Sequence, residues 1–171
     1  MEVGICHEGH GETILRDSVQ VFEKGCIIIV PPNYPHSNTA DFGTKAYWEW
    51  LYLDIDSVLR DMKELSFSKL DTDYMQQELY KTALFFYQKE YPKISDIILK
   101  IREECDKKAY MYRETVKGLL QSFVVELLRI HNVQANMPKK STRNFQIAPA
   151  LSYVKGHYNE EIKIQNLAEV C

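Results

Sequence analysis

The chain has 171 residues, of which 45% are hydrophobic and 26% charged, and its formal net charge is −3 at pH 7. This balance excludes a mainly disordered chain, and the slight acidic excess argues against a protein that holds nucleic acid by bulk positive charge. No apolar run approaches the roughly 20 residues that a membrane-spanning helix needs, and the four cysteines include no C-x-x-C pair. We therefore expect a reduced, cytoplasmic protein that does not enter a membrane.

The distribution of glycine and proline in the first part of the chain is typical of a β structure. Five of the seven glycines and three of the six prolines lie within the first 43 residues, which is typical of short strands joined by turns. Residues 18–23 predict a strand, and residues 26–30 form an apolar, β-branched run that predicts a strand buried on both faces. Residues 45–54 predict another strand, in which alternate side chains point to opposite faces. One face of it carries three aromatic side chains: Trp48, Trp50 and Tyr52.

From about residue 56 the apolar residues follow a helical period. Residues 57–65 predict a short helix and residues 71–89 a longer one, with Asp71 or Asp73 as a possible N-cap.

Two further helices, over residues 94–107 and 110–133, predict an antiparallel hairpin, with Ser95 as a plausible start of the first. The second helix has the strongest apolar stripe in the chain, which must be buried against something. The stripe consists of Val116, Leu119, Leu120, Phe123, Val124, Leu127 and Leu128.

A polar, basic, proline-bearing segment follows the hairpin and predicts a linker and a domain boundary over residues 136–146. Beyond it, Ile147, Leu151 and Val154 predict one amphipathic helix. Ile164 begins a second, which the chain end cuts off.

One local pattern, Gly25-x5-Pro31-x-Asn33-x2-His36, combines a turn, a buried strand, a rigid exit and a histidine at the mouth of the strand. It resembles the second conserved motif of the cupin β-barrels, G-x5-P-x-G-x2-H-x3-N. Asn33 replaces the glycine, a mild exchange because asparagine tolerates left-handed backbone angles. Ala40 stands where the closing asparagine is expected.

The first cupin motif, H-x-H-x3-4-E-x6-G, matches only at its end, as Glu2-x6-Gly9, so that its histidines would lie before Met1. In metal-dependent cupins these motifs supply three histidines and a glutamate to one metal. Only Glu2 and His36 map here, so we expect no metal site, no cofactor and no catalytic residues.

The other end of the chain resembles the opening of an AraC/XylS-type DNA-binding domain. The likeness lies in Ile147-x2-Ala150-Leu151-x-Tyr153-Val154-x2-His157-Tyr158-x3-Ile162-x-Ile164-x2-Leu167-Ala168, where a first helix leads into the start of a helix-turn-helix. A cupin-like half, a helical segment, a linker and this opening follow the standard order of AraC-type regulators.

The resemblance implies an α+β fold: a cupin-like antiparallel β-barrel or jelly roll, an α-helical hairpin and a truncated helical segment. It implies a sensor domain over residues 1–56, truncated at its N-terminus, and a helical region with the dimerisation hairpin over 57–135. After the linker, residues 147–171 would be the start of the DNA-binding domain. The recognition helix would follow Cys171, so we expect promoter binding only by the full-length protein.

The function implied is a non-enzymatic one: the effector-sensing and dimerisation portion of a bacterial regulator, which binds a small metabolite, with a carbohydrate as one candidate. The ligand-binding candidates are His36, Trp48, Trp50, Tyr52 and Glu2. The homodimer candidates are Val116, Leu119, Leu120, Phe123, Val124 and Leu127.

Other interpretations stay open. The tryptophans are also compatible with packing of the barrel or with holding the helical hairpin, and Glu49, on the other face, with a solvated strand surface. The stripe on the hairpin is compatible with the core, with a dimer interface or with both. The chain as a whole is also compatible with a metal-dependent cupin enzyme, an isomerase or a dioxygenase, and with a regulator whose barrel binds no effector.

Overall fold

A computed structural model describes residues 1–16, 18–65, 70–135, 150, 153–154, 156–160 and 162–169. The chain divides into two units, residues 1–137 and 138–171. The segments expected as sensor and helical region, 1–56 and 57–135, belong to the same unit. The linker expected over 136–146 lies outside the described residues.

Seven strands form two antiparallel sheets in the first unit. They are β1 (Glu2–Glu8), β2 (His10–Leu15), β3 (Ser18–Glu23), β4 (Cys26–Val30), β5 (His36–Ala40), β6 (Tyr47–Tyr52) and β7 (Leu84–Tyr87). The four-stranded sheet has the order β6-β1-β4-β7, and the three-stranded sheet has the order β3-β2-β5. The limits predicted for β3 and β4 are confirmed.

Strand β4 is buried on both faces, as its uninterrupted apolar sequence predicts. Ile27 and Ile29 belong to the core shared with the helices, whereas Ile28 and Val30 pack with Leu15 of the three-stranded sheet. Because side chains alternate along a strand, one short run of apolar residues joins two cores. The four-stranded sheet is therefore the middle layer of this unit.

Five helices have described bounds: α1 (Ile55–Leu65), α2 (Thr72–Leu79), α3 (Pro92–Lys107), α4 (Tyr112–Ala135) and α5 (Ile164–Glu169). Asp71 is the N-cap of α2, where its carboxylate accepts a hydrogen bond from the Tyr74 backbone N–H at 3.0 Å. Helix α3 begins at Pro92 and not at Ser95, because the fixed φ of proline suits the first helical position. No described helix is both long and apolar enough to cross a membrane.

The prediction of one helix over residues 71–89 is wrong. Helix α2 ends at Leu79, and residues 84–87 form β7, which pairs with β4. Leu84 packs in the core beside the helices, whereas Phe85 packs in the core between the two sheets. The side chains of this short apolar run therefore alternate between the two faces of the sheet. Pairing with β4 makes residues 84–87 a strand, and the pattern of residues 71–89 alone does not reveal this partner.

The apolar stripe of α4 faces the core of its own chain. Phe123, Val124 and Leu127 are each 0% exposed and pack in the core between the helices and the four-stranded sheet. These three side chains pack within their own chain, and their expected place in a dimer interface stays a prediction. The other three candidates for that interface are only half-buried: Val116, Leu119 and Leu120.

Candidate functional site

The space between the two sheets collects the side chains that the sequence singled out. On β6, Trp48 and Trp50 pack with residues of this inter-sheet space, whereas Leu51 packs on the helix side. The register pairs Trp50 with Gly4 and Tyr52 with Glu2 of β1. Directly opposed residues of antiparallel strands present their side chains to the same face, so Glu2 shares a face with the tryptophans.

The two tryptophans form a stacked pair. Their ring centroids lie 5.8 Å apart with an interplanar angle of 24°, and the ring of Phe22 meets Trp48 edge-on at 5.0 Å. A Cβ atom built at Gly4 would stand 2.9 Å from the Trp50 ring and from Ile28 Cγ1. The missing side chain at Gly4 therefore makes room for the Trp50 indole against the sheet.

Polar groups lie at one end of this aromatic surface. His36 Nε2 is 3.7 Å from Glu2 Oε2, and the imidazole ring lies 6.0 Å from Trp50 between ring centroids. The Nδ1–H of His36 donates to the Tyr34 carbonyl at 3.0 Å, which fixes the ring and leaves Nε2 directed at Glu2. The site thus offers a carboxylate and an imidazole nitrogen beside an indole face.

One polar atom of the site has no partner. The indole Nε1–H of Trp48 is buried and makes no hydrogen bond to any residue that the structure describes. An unsatisfied buried donor costs about 1–3 kcal/mol. By contrast, the buried hydroxyl of Thr13 donates to Asn38 Oδ1 at 2.8 Å. The Trp48 N–H is therefore the donor that an acceptor on a bound molecule would satisfy.

The structure brings four of the five ligand-binding candidates together, namely Glu2, His36, Trp48 and Trp50. Tyr52 is in register with Glu2 at the strand end, but it is 74% exposed. Gly4, Phe22, Thr13 and Asn38 were not among the candidates. The alternation of residues 10–15 is the one sequence signal that could have placed Thr13 on an inward face of β2. The sequence does not show which strand of the other sheet lies opposite it.

Glu49 lies on the other face of β6, in contact with a helix. Its Oε2 lies 2.6 Å from His7 Nε2, and Arg102 Nε donates to its Oε1 at 2.9 Å. Burial acts to raise the pKa of Glu49, but the hydrogen bonds from His7 and Arg102 outweigh it and hold this pKa below its usual value. Glu49 therefore does not lie on a freely solvated strand surface but forms an ion pair with Arg102 of α3.

Two buried cysteines face each other near the aromatic pair. Cys6 and Cys26 lie on neighbouring strands, and the Cys6 thiol donates to the Glu8 carbonyl at 3.5 Å. Burial raises the pKa of Cys26 to about 12, so its thiol stays protonated. Within the described part of the chain, no three His, Cys, Asp or Glu side chains are grouped to hold a metal ion.

A family model for the AraC-like ligand binding domain matches residues 1–123. The chain belongs to this family. The crystal structure of the AraC-like transcriptional activator CuxR is similar to this AraC-like chain in fold, with a TM-score of 0.50 and 12% sequence identity. The match covers 98% of this chain and 55% of that one, so the chain spans about half the length of CuxR. No curated protein matches the sequence significantly.

These comparisons confirm two expectations. The AraC-type resemblance is confirmed by the family match, and the α+β fold with a cupin-like antiparallel barrel by the two sheets and the likeness in fold. Residues 1–123 are thus an AraC-like ligand binding domain.

Proposed function

We propose that this AraC-like chain binds a small metabolite between its two sheets, and that binding controls how a homodimeric, full-length regulator holds promoter DNA. The observation that carries the proposal is the stacked Trp48–Trp50 pair, in which the buried Trp48 N–H has no hydrogen-bond partner among the described residues. Small-molecule sites are typically lined by mostly apolar side chains with a few converging polar groups, and the side chains around the tryptophans have this composition. Catalysis is no part of the proposal.

The groups around the tryptophans favour a ring-shaped, hydroxylated ligand. The Trp50 ring offers an apolar face, and the Trp48 N–H needs an acceptor. The Glu2 carboxylate accepts hydrogen bonds, and His36 Nε2 accepts when the ring is neutral. A carbohydrate presents both a flat apolar face and hydroxyl groups that donate and accept, so it satisfies all four groups. Tyr52 would contact it from the rim.

Dimerisation is proposed for the part of α4 that the core leaves accessible. Val116, Leu119 and Leu120 are half-buried, near the start of the helix. A partner that covered them would bury further apolar area, which favours association by about 25 cal/mol per Å2. A ligand can change the dimer only if it binds one arrangement of the two subunits more tightly than the other.

DNA contact is proposed for the full-length protein alone, in the cytoplasm. The second unit holds α5, which begins at Ile164 as the sequence predicts. We propose that this unit is the start of a helix-turn-helix domain whose recognition helix follows it.

A thermal melting screen against a panel of sugars and related metabolites tests the proposal. A compound present at 100 times its Kd would stabilise the fold by about 2.7 kcal/mol, which raises the Tm of a chain of this size by about 5 to 11 °C. The shift should disappear in Trp50→Ala and persist in Tyr110→Ala, which removes an aromatic side chain that is 95% exposed.

Three results would contradict the proposal. A panel without any stabilising compound would favour a barrel that serves only as a scaffold. A compound that binds tightly yet leaves the promoter affinity of the full-length protein unchanged would refute the switch. A stoichiometric transition metal in the purified protein, found by elemental analysis, would favour the metal-dependent enzyme.

A further inference from the structure

Strand β6 carries functional groups on both of its faces. Trp48 and Trp50 pack in the inter-sheet space, and Glu49, between them in sequence, contacts α3 on the opposite side. Because a strand backbone is stiff over three residues, a shift of β6 that moves the two tryptophans also moves Glu49. The proposed ligand site and the helices thus share one short piece of chain.

The contact between Glu49 and α3 is an ion pair. Arg102 Nε lies 2.9 Å from both carboxylate oxygens of Glu49, and 3.6 Å from Asp106 one turn further along the helix. His7 holds the same carboxylate from β1 at 2.6 Å. Among the residues that the structure describes, Glu49–Arg102 is the only ion pair that joins a helix to either sheet.

Backbone pairing holds β6 on one side only. It is an edge strand that pairs only with β1, and the pairing is irregular between Cys6 and Glu8, where His7 lies. Helix α3, in contrast, is anchored to the core by buried residues such as Ile98 and Ile101, and it packs along α4. The ion pair therefore links the edge strand β6 to the helical hairpin of α3 and α4.

We propose that Glu49 and Arg102 are positioning residues that couple the inter-sheet space to the α3–α4 hairpin. The inference rests on the proposed function for its biological role, because a signal needs a ligand on one side and a dimer on the other. A ligand that stacks on Trp50 and satisfies Trp48 would favour one position of β6. Through Glu49 and Arg102, that position would favour one placement of α3 and, with it, of the proposed dimer helix α4.

The coupling can be tested without a ligand. Both tryptophans of the chain lie on β6, so tryptophan emission and its quenching by acrylamide report on this strand alone. The variant Arg102→Met removes the charge from α3 on the far side of the sheet. Arg129→Met is the matched control, because Arg129 pairs with Glu126 at 3.0 Å within α4 and contacts no strand through that pair.

We expect Arg102→Met to speed amide hydrogen exchange in β6 by about two- to fivefold and to change acrylamide quenching. Exchange in β2, in the other sheet, should stay at the wild-type rate, and Arg129→Met should leave β6 unchanged. Arg102→Lys, which keeps the charge, should restore most of the protection. Glu49→Gln should have a smaller effect when added to Arg102→Met than in the wild-type chain, because only the contact of Glu49 with His7 is then left to lose.

Two outcomes would overturn the coupling. One is an Arg102→Met protein that matches Arg129→Met in β6 exchange and in quenching. The other is exchange that accelerates equally in β2 and β6 with a lower urea midpoint, which would show a general loss of stability. Failure of the proposed ligand function is separate, since it would be seen in the melting screen and not in these ligand-free measurements.

Discussion

The close approach of Trp50 to Gly4 makes a quantitative prediction for Gly4→Ala. The new Cβ would lie 2.9 Å from two atoms of the indole and from Ile28 Cγ1, whereas carbon atoms in favourable contact are about 3.5–4.0 Å apart. Neither neighbour yields easily, because Ile28 is 0% exposed in the middle layer and Trp50 is stacked on Trp48. The substitution must therefore displace the indole or the strand.

The expected loss of stability follows from two opposing effects. Overpacking of a well-packed site costs about 1–3 kcal/mol. Replacing glycine within a strand recovers about 0.5–1 kcal/mol, since the unfolded chain becomes less flexible. At the midpoints of these two ranges the net destabilisation is about 1.25 kcal/mol, or about 2.5 to 5 °C in Tm.

Urea unfolding and near-UV circular dichroism would check this prediction. The free energy of unfolding should fall, and the signal of the stacked tryptophans should weaken. Gly118→Ala is the matched control: apart from the adjacent residues and the helix's own backbone, no described atom lies within 4 Å of a Cβ at this exposed position in α4, so alanine should stabilise the helix by about 1 kcal/mol. A Gly4→Ala protein as stable as wild type, with an unchanged near-UV spectrum, would refute the packing argument.

Four further predictions concern buried and half-buried groups. His131 donates from Nδ1 to the Glu78 carbonyl at 2.8 Å, while its buried Nε2 has no partner among the described residues. Burial lowers the pKa of His131 below its ordinary 6.5, so the unfolded chain binds the proton more readily, and urea midpoints should fall as the pH drops below 6.5. His131→Gln should reduce that dependence, and a wild-type midpoint that is flat from pH 7.5 to 5.5 would contradict it. Iodoacetamide should label the partly exposed Cys105 well before the buried Cys26, as peptide mass mapping would show; equal rates would exclude the burial described. Phe123→Ala should cost about 3–5 kcal/mol in urea unfolding because the side chain is 0% exposed. Leu119→Ala should instead weaken the proposed homodimer in sedimentation, and a dimer lost equally in both variants would point to unfolding as the cause.

Patterns that depend on neighbours in sequence were predictable. The apolar run of β4 and the helical period of α4 predict those elements closely, because burial on two faces or on one face leaves a local pattern. Period-two alternation also places Trp48 and Trp50 on one face of β6, which the structure confirms. Residues 84–87 show the limit, since only pairing with β4 makes them a strand.

The sequence by itself determined the class of the protein, the two-faced β4 and the aromatic face of β6. Only the tertiary structure decided what each of these meets. Glu2 and His36 approach each other across the two sheets, Gly4 makes room for Trp50, and Glu49 finds Arg102 on a helix 53 residues further along the chain. Such contacts depend on strand order and on the packing of helices against the sheet, and neither leaves a periodic trace in the sequence.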